Sequence, residues 1–297
     1  MPTELSELLT STLRLSIPLI FAAFGGLLSE RSGIANIALE AYLLVSAFAA
    51  GAVTFASGHL MMGVIAGVAA SGIVGCLFAA VCIWGRGDQI VVGTGFNLLA
   101  VGLLPVLTKA FFGLTGSTPS LPLPLRFSQP SVFFGLAVIT LILLFLVFHR
   151  TRHGLRIIAA GENPNALSSQ GVSYRLVRFR AVVEGSLIAG VGGVYLSLCQ
   201  GSGYVREMSA GRGFIALAAL IFGAWKPLPT FLACLFFAFA DAIQIQLQGA
   251  KIAGWAVPSE FVQIVPYVAT LFVLAAYSRK MQAPAALNQE AQSLSSN

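Results

Sequence analysis

The sequence predicts an all-α fold, a polytopic integral membrane helical bundle of about 8–10 transmembrane helices, one of them broken or re-entrant. Three observations predict it. Of 297 residues 57% are hydrophobic and only 9% are charged, against about 25% charged in an ordinary soluble domain, and the mean hydropathy is +0.87. Uncharged runs long enough to cross ~30 Å of hydrocarbon, roughly 20 residues each, recur along the chain. The basic residues behind the net charge of +6 fall between those runs, a pattern that sets membrane orientation rather than one that binds nucleic acid.

The first run, near 12–28, is preceded by Glu4 and Glu7, with Arg14 as its one basic residue. It therefore reads as a retained span and not as a cleaved secretory signal. The second, near 34–55, carries Asn36 and Glu40 four residues apart, which on a helix shares one face. The third, near 60–84, has small residues at every fourth position, Gly63, Gly67, Ser71 and Gly75, a face that lets helix backbones approach closely. The fourth, near 90–112, holds Asn97 at mid-span, and Lys109 is the deepest basic residue of the predicted spans. An outward loop at 113–130, with Pro119, Pro122, Pro124 and Pro130, is predicted to be extended and stiff.

After a fifth span near 131–149 comes the long polar insertion, about 150–180. Arg150, Arg152, Arg156, Arg175, Arg178 and Arg180 face the single acid Glu162 there, which places the insertion in the cytoplasm. By counting spans from there, Arg31, Arg86, Lys226, Arg279 and Lys280 are also inside and the N-terminus is outside. Within the insertion, 161–171 reads as a short capped helix: Asn163 caps, Pro164 suits the first position and Gly171 the stop. A sixth span near 181–200 repeats the small-residue face with Gly185, Ala189 and Gly193, and its Glu184 lies close enough to the cytoplasmic end to snorkel. The run at 213–224 is short, and Trp225, Lys226, Pro227 and Pro229 separate it from 230–248; it is the broken or re-entrant element. The last span lies near 261–277. The transmembrane domain with its cytoplasmic loop thus covers 1–280, and the Ala-, Gln- and Ser-rich stretch 281–297 reads as a disordered tail.

Charged groups at bilayer depth carry the functional information, because each costs about 2.5–3.5 kcal/mol at a helix centre. Asp241, with Gln244 and Gln248 on the same face, cannot look at lipid. Asn36, Glu40, Asn97, Asp241 and Gln244 are the candidate lining of a translocation pathway suited to a neutral polar solute. No catalytic arrangement and no phosphate-binding loop is found, so the chain is read as a non-enzymatic transport subunit. Cys76, Cys82, Cys199 and Cys234 lie in apolar runs without paired spacing, and His59, His149 and His153 lack metal-ligand neighbours, so no metal is expected.

The run Glu30-Arg31-Ser32-Gly33-Ile34-Ala35-Asn36-Ile37-Ala38-Leu39-Glu40 resembles the E-R-x-G-x-x-N-x-x-x-E signature of ABC importer permeases for nucleosides and simple sugars. Gly161-Glu162-Asn163-Pro164 resembles their coupling segment, and Gly213 to Ala218 and Phe239 to Ala242 resemble later motifs, in order over roughly 12–277. The chain departs from the pattern at Ala41 and at Ser168-Ser169-Gln170. The resemblance implies a permease of a bacterial inner membrane, paired with a second homologous permease as a heterodimer. It also implies an ATPase subunit that carries ATP and Mg²⁺, and an extracytoplasmic binding protein. Glu162, Asn163, Pro164, Asn165 and Ser168 would contact that ATPase. A nucleoside is the implied cargo; a ribose-type sugar permease and an ion-coupled secondary transporter are the alternatives.

Overall fold

Hydrophobic runs become helices because in hydrocarbon every backbone donor and acceptor must be satisfied internally. The computed structural model describes residues 2–247, 251–252, 255–256 and 282–288. The helices are α1 (Pro2–Arg31), α2 (Leu39–Ser57), α3 (Leu60–Ile83), α4 (Gln89–Phe112), α5 (Pro130–Arg150), α6 (Arg152–Glu162), α7 (Pro164–Ser169), α8 (Tyr174–Tyr195, continued by a π turn over Leu196–Gln200), α9 (Arg212–Phe222) and α10 (Pro227–Leu247). A two-residue antiparallel pairing joins Lys251–Ile252 to Trp255–Ala256. Among the described residues seven helices are long and apolar enough to cross a membrane, and α9 is a shorter apolar helix. The span expected at 261–277 lies outside the described residues.

Local chemistry sets the helix ends. The Asp88 carboxylate caps α4 by accepting from the Ile90 and Val91 amides at 2.9 Å each. Gly58 (φ 67°) and Gly113 (φ 69°) stop α2 and α4 in the left-handed region. Three boundaries differ from expectation, the first being that α1 starts at Pro2 rather than near 12. The second span begins at Leu39 rather than near 34, because 32–38 is irregular backbone. Asn36 and Glu40 therefore do not share a helix face, and Glu40 stands in the first turn of α2. The sixth span starts at Tyr174, so the last residues of the basic insertion are the first turns of α8.

The predicted small-residue faces make the central seam. A Cβ on Gly25 would run into the carbonyl of Gly185, and one on Gly185 into that of Gly25, so α1 and α8 touch backbone to backbone. Ser71 of α3 donates to the Ser186 carbonyl at 2.6 Å, and Ser46 of α2 to the Gly190 carbonyl at 2.5 Å. α1, α2 and α8 are mostly buried, whereas α4 and α5 are mostly exposed. Exposed side chains such as Val91, Leu98, Phe111 and Ile139 give these outer helices a surface suited to hydrocarbon.

The proline-rich loop at 113–130 is extended as expected, apart from a 3₁₀ turn at Leu123–Leu125. It packs on the segment that follows α8: Leu121 N donates to the Ser202 carbonyl (2.8 Å), and Thr118 Oγ1 accepts from the Tyr204 amide (2.9 Å). At the other end of the chain, 282–288 is not free. It forms a turn docked on the end of α6, where Ala286 is buried and its amide donates to the Gly161 carbonyl at 2.7 Å. The expected disordered tail is corrected to that extent: an apolar Pro-Ala-Ala-Leu stretch finds both a backbone acceptor and a packed surface.

Candidate translocation and coupling site

The short helix α9 is the broken element. Its 11 residues rise about 16 Å, roughly half of the ~30 Å of hydrocarbon. The other half is covered by the non-helical segment 201–211, which runs along α2 from Gly51, where the Tyr204 amide comes close, to Glu40. Such a segment is tolerable in a membrane only when protein satisfies it. Glu40 does so. One carboxylate oxygen accepts from the Ser209 hydroxyl (2.5 Å) and the Gly211 amide (2.9 Å), and the other from the Gly213 amide (2.7 Å). A carboxylate at a helix N-terminus also meets the positive end of the dipole.

The far end of α9 is tied to the same stretch of chain. Trp225 donates its indole N–H to Glu30 at 2.6 Å, and the other Glu30 oxygen accepts from the Asn36 amide at 3.4 Å. Glu30 and Glu40 thus flank the 32–38 linker and hold α9 at both ends. Glu207 and Ala210 before α9, and Ala224 and Trp225 after it, have positive φ between 48° and 55°. Non-glycine residues adopt that region at a cost and cluster where structure over-determines the backbone.

Helix α4 grips the linker with two amides. Gln89 Oε1 accepts from the Ala35 amide at 2.6 Å. Asn97 accepts from the Ala41 amide (2.9 Å) and donates to the Ile37 carbonyl (2.8 Å). Asn36 donates to Ser29 Oγ at 2.9 Å, while its amide oxygen is buried without a hydrogen-bond partner among the described residues. Three of the five predicted lining residues, Asn36, Glu40 and Asn97, therefore lie in or beside one linker with most of their polar atoms bonded to other protein groups. Asp241 and Gln244 stand apart on α10, partly buried and one turn from each other. Arg212, the first residue of α9, lies within electrostatic reach of both Asp241 and Glu40 and donates to the Met208 carbonyl at 3.2 Å.

The basic insertion folds as α6 and α7. Asn163 Oδ1 accepts from the Ala166 amide at 3.2 Å, Pro164 opens α7, and Gly171 (φ 72°) follows its end. Leu167 is buried while Asn165 and Ser168 are exposed, so α7 is anchored on one face and free on the other. Arg178, itself buried, fastens this unit to the linker: Nε donates to the Ser32 carbonyl (3.0 Å) and Nη2 to the Ala160 carbonyl (3.1 Å). Arg31 pairs with Glu162 at 3.7 Å. Glu184 takes up His153 of α6 at 2.8 Å.

Comparison with known proteins supplies the family. Residues 8–274 match the family described as branched-chain amino acid transport system / permease component. The chain belongs to this permease family. The permease is 32% identical over 296 residues to a nucleoside ABC transporter permease protein of Lactococcus lactis subsp. cremoris, covering 91% of this chain and 92% of that protein. It is 30% identical over 306 residues to a guanosine ABC transporter permease protein of Bacillus subtilis, covering 95% of each. A glucose ABC transporter permease protein of Haloferax volcanii is 24% identical over 299 residues, 90% of this chain and 76% of that protein. No solved structure matches. The permease is a multi-pass membrane protein and a transport subunit.

Sequence reasoning missed Glu30 and Trp225 as a pair, the grip of Gln89, the buried Arg178 and the half-buried Arg212. Glu30 stood in the signature run, so a signal existed. Nothing local pointed to Trp225, 195 residues further on.

Proposed function

We propose that this permease is the membrane-spanning subunit of an ATP-driven importer that moves nucleosides across a bacterial inner membrane by alternating access. Two relatives named for nucleoside and guanosine transport match over more than nine-tenths of both chains, and this observation carries the reading. A separate ATPase, with its bound ATP and Mg²⁺, closes and moves the exposed face of α7. Arg178 and Arg31 carry that motion to the 32–38 linker, and Glu30 and Glu40 carry it to α9. Asp241, Gln244 and Arg212 then line the moving path, while Asn36, Glu40 and Asn97 brace its wall. A second homologous permease completes the channel as a heterodimer, and an extracytoplasmic binding protein delivers the cargo. With the binding protein selecting the solute, the path needs only a transient polar lining.

The test is uptake of labelled guanosine, uridine and glucose by cells that express the permease with its neighbouring transporter subunits. Nucleoside uptake that stops when the phosphate-loop lysine of the ATPase is replaced supports the reading. Uptake of glucose alone, or nucleoside uptake indifferent to that replacement, overturns it. Crosslinking from Ser168→Cys to the ATPase checks the coupling contact; failure there and at neighbouring exposed positions would count against docking through α7.

A further inference from the structure

Beside the far end of α9, the ends of three membrane helices converge on a cavity. It holds about 360 Å³, within the range of roughly 300–1,000 Å³ usual for small-molecule sites. The C-terminal ends of α1 and α5 and the N-terminal end of α10 surround it, so it lies where hydrocarbon meets water. Phe148, Ile158 and Leu228 supply an apolar wall, Arg31, His149 and Lys226 supply basic groups, and none of the described lining residues is acidic.

The basic groups are differently engaged. Arg31 is paired with Glu162. His149 is stacked on Phe145 with its ring centroid at 4.2 Å, and its Nδ1 lies 2.9 Å from the Phe145 carbonyl. Lys226 is exposed and has no ion-pair partner among the described residues. An apolar hollow inside the membrane edge with a free ammonium at its mouth is complementary to one kind of molecule, an acyl chain that ends in a negative headgroup. A nucleoside fits it poorly, because its described wall is mainly apolar.

We infer that this cavity binds an anionic phospholipid, with its acyl chain against Phe148, Ile158 and Leu228 and its phosphate at Lys226 and His149. The inference rests on the cytoplasmic orientation in the proposed function, since basic pockets on that face meet the anionic leaflet. It also gives the lipid a position beside the Arg31–Glu162 pair, at the joint between α1 and the coupling segment.

Fluorescence quenching of Trp225, which lines the cavity, tests this without reference to transport. In a full-length chain carrying Trp84→Phe and Trp255→Phe, reconstituted into vesicles, acyl-brominated phosphatidylglycerol is compared with acyl-brominated phosphatidylcholine. The expected preference for the anionic lipid is about fivefold or more, and Lys226→Gln should lower it by about fivefold, the contribution of one basic group near an anionic surface. Arg180→Gln, an exposed cation outside the cavity, should leave it unchanged. Equal quenching by the two lipids overturns the site. So does an equal loss in Arg180→Gln and Lys226→Gln, which would make the preference a general surface attraction. A failed nucleoside assay would leave this measurement untouched, so the two readings fall separately.

Discussion

Glu40 shows what a single acid can do inside a bilayer. Its two oxygens accept three hydrogen bonds from the start of α9, and an unmatched buried donor costs about 1–3 kcal/mol. Glu40→Ala should therefore unseat the half-helix: we expect a clear drop in thermal stability of the purified permease and loss of uptake at matched membrane expression. Glu40→Gln keeps an accepting oxygen and should retain part of both. Wild-type stability and transport in Glu40→Ala would refute the bracing role. Gly33 offers a second test at this scale. Its φ of 95° is open to glycine, and a Cβ there would sit 2.7 Å from Arg178 Nη2. Gly33→Ala should displace the guanidinium from the Ser32 carbonyl and weaken the coupling of ATP hydrolysis to transport. Uptake per ATP hydrolysed measures this, and an unchanged ratio would argue against transmission through Arg178.

Among the elements, α7 was legible and the linker was not, for a physical reason. A cap, a first-turn proline and a terminal glycine act within a few residues, so Asn163, Pro164 and Gly171 announce α7 by themselves. The 32–38 linker is held by Gln89, Asn97 and Arg178, all distant in sequence, and helical spacing alone placed Asn36 and Glu40 on a face that does not exist. α9 was legible as a short apolar run; that its N-terminus ends on Glu40 was not. Two predictions belong here. Asn163→Ala removes the α7 cap, costs about 1 kcal/mol, and should lower ATPase recovery when the permease is purified from the complex. A chain truncated after Met281 loses the bonds from Ala285 to Glu162 and from Ala286 to Gly161. Hydrogen exchange across 152–171 should then quicken, and exchange equal to that of the full chain would show that the docked turn stabilises nothing there.

For the whole molecule, hydropathy located every described crossing, because the bilayer imposes one length on all of them. What it could not rank is which helices are inner. α1 and α8 meet through Gly25 and Gly185, while the more hydrophobic α5 stays on the outside. The long reach of the acid contacts also bears on how the chain is made. Glu30 precedes its indole partner by 195 residues and Glu40 precedes its last one by 173. At about 5–20 residues per second of synthesis, each carboxylate waits roughly 10–40 s for them. During that interval the first two helices are in the insertion machinery with acids that have no final partner, and the ribosome's progress sets when the fold can lock. A nascent chain released before residue 212 should be cleared by membrane proteases far faster than one released after 247, so the late half-helix is also the point at which the newborn protein becomes worth keeping.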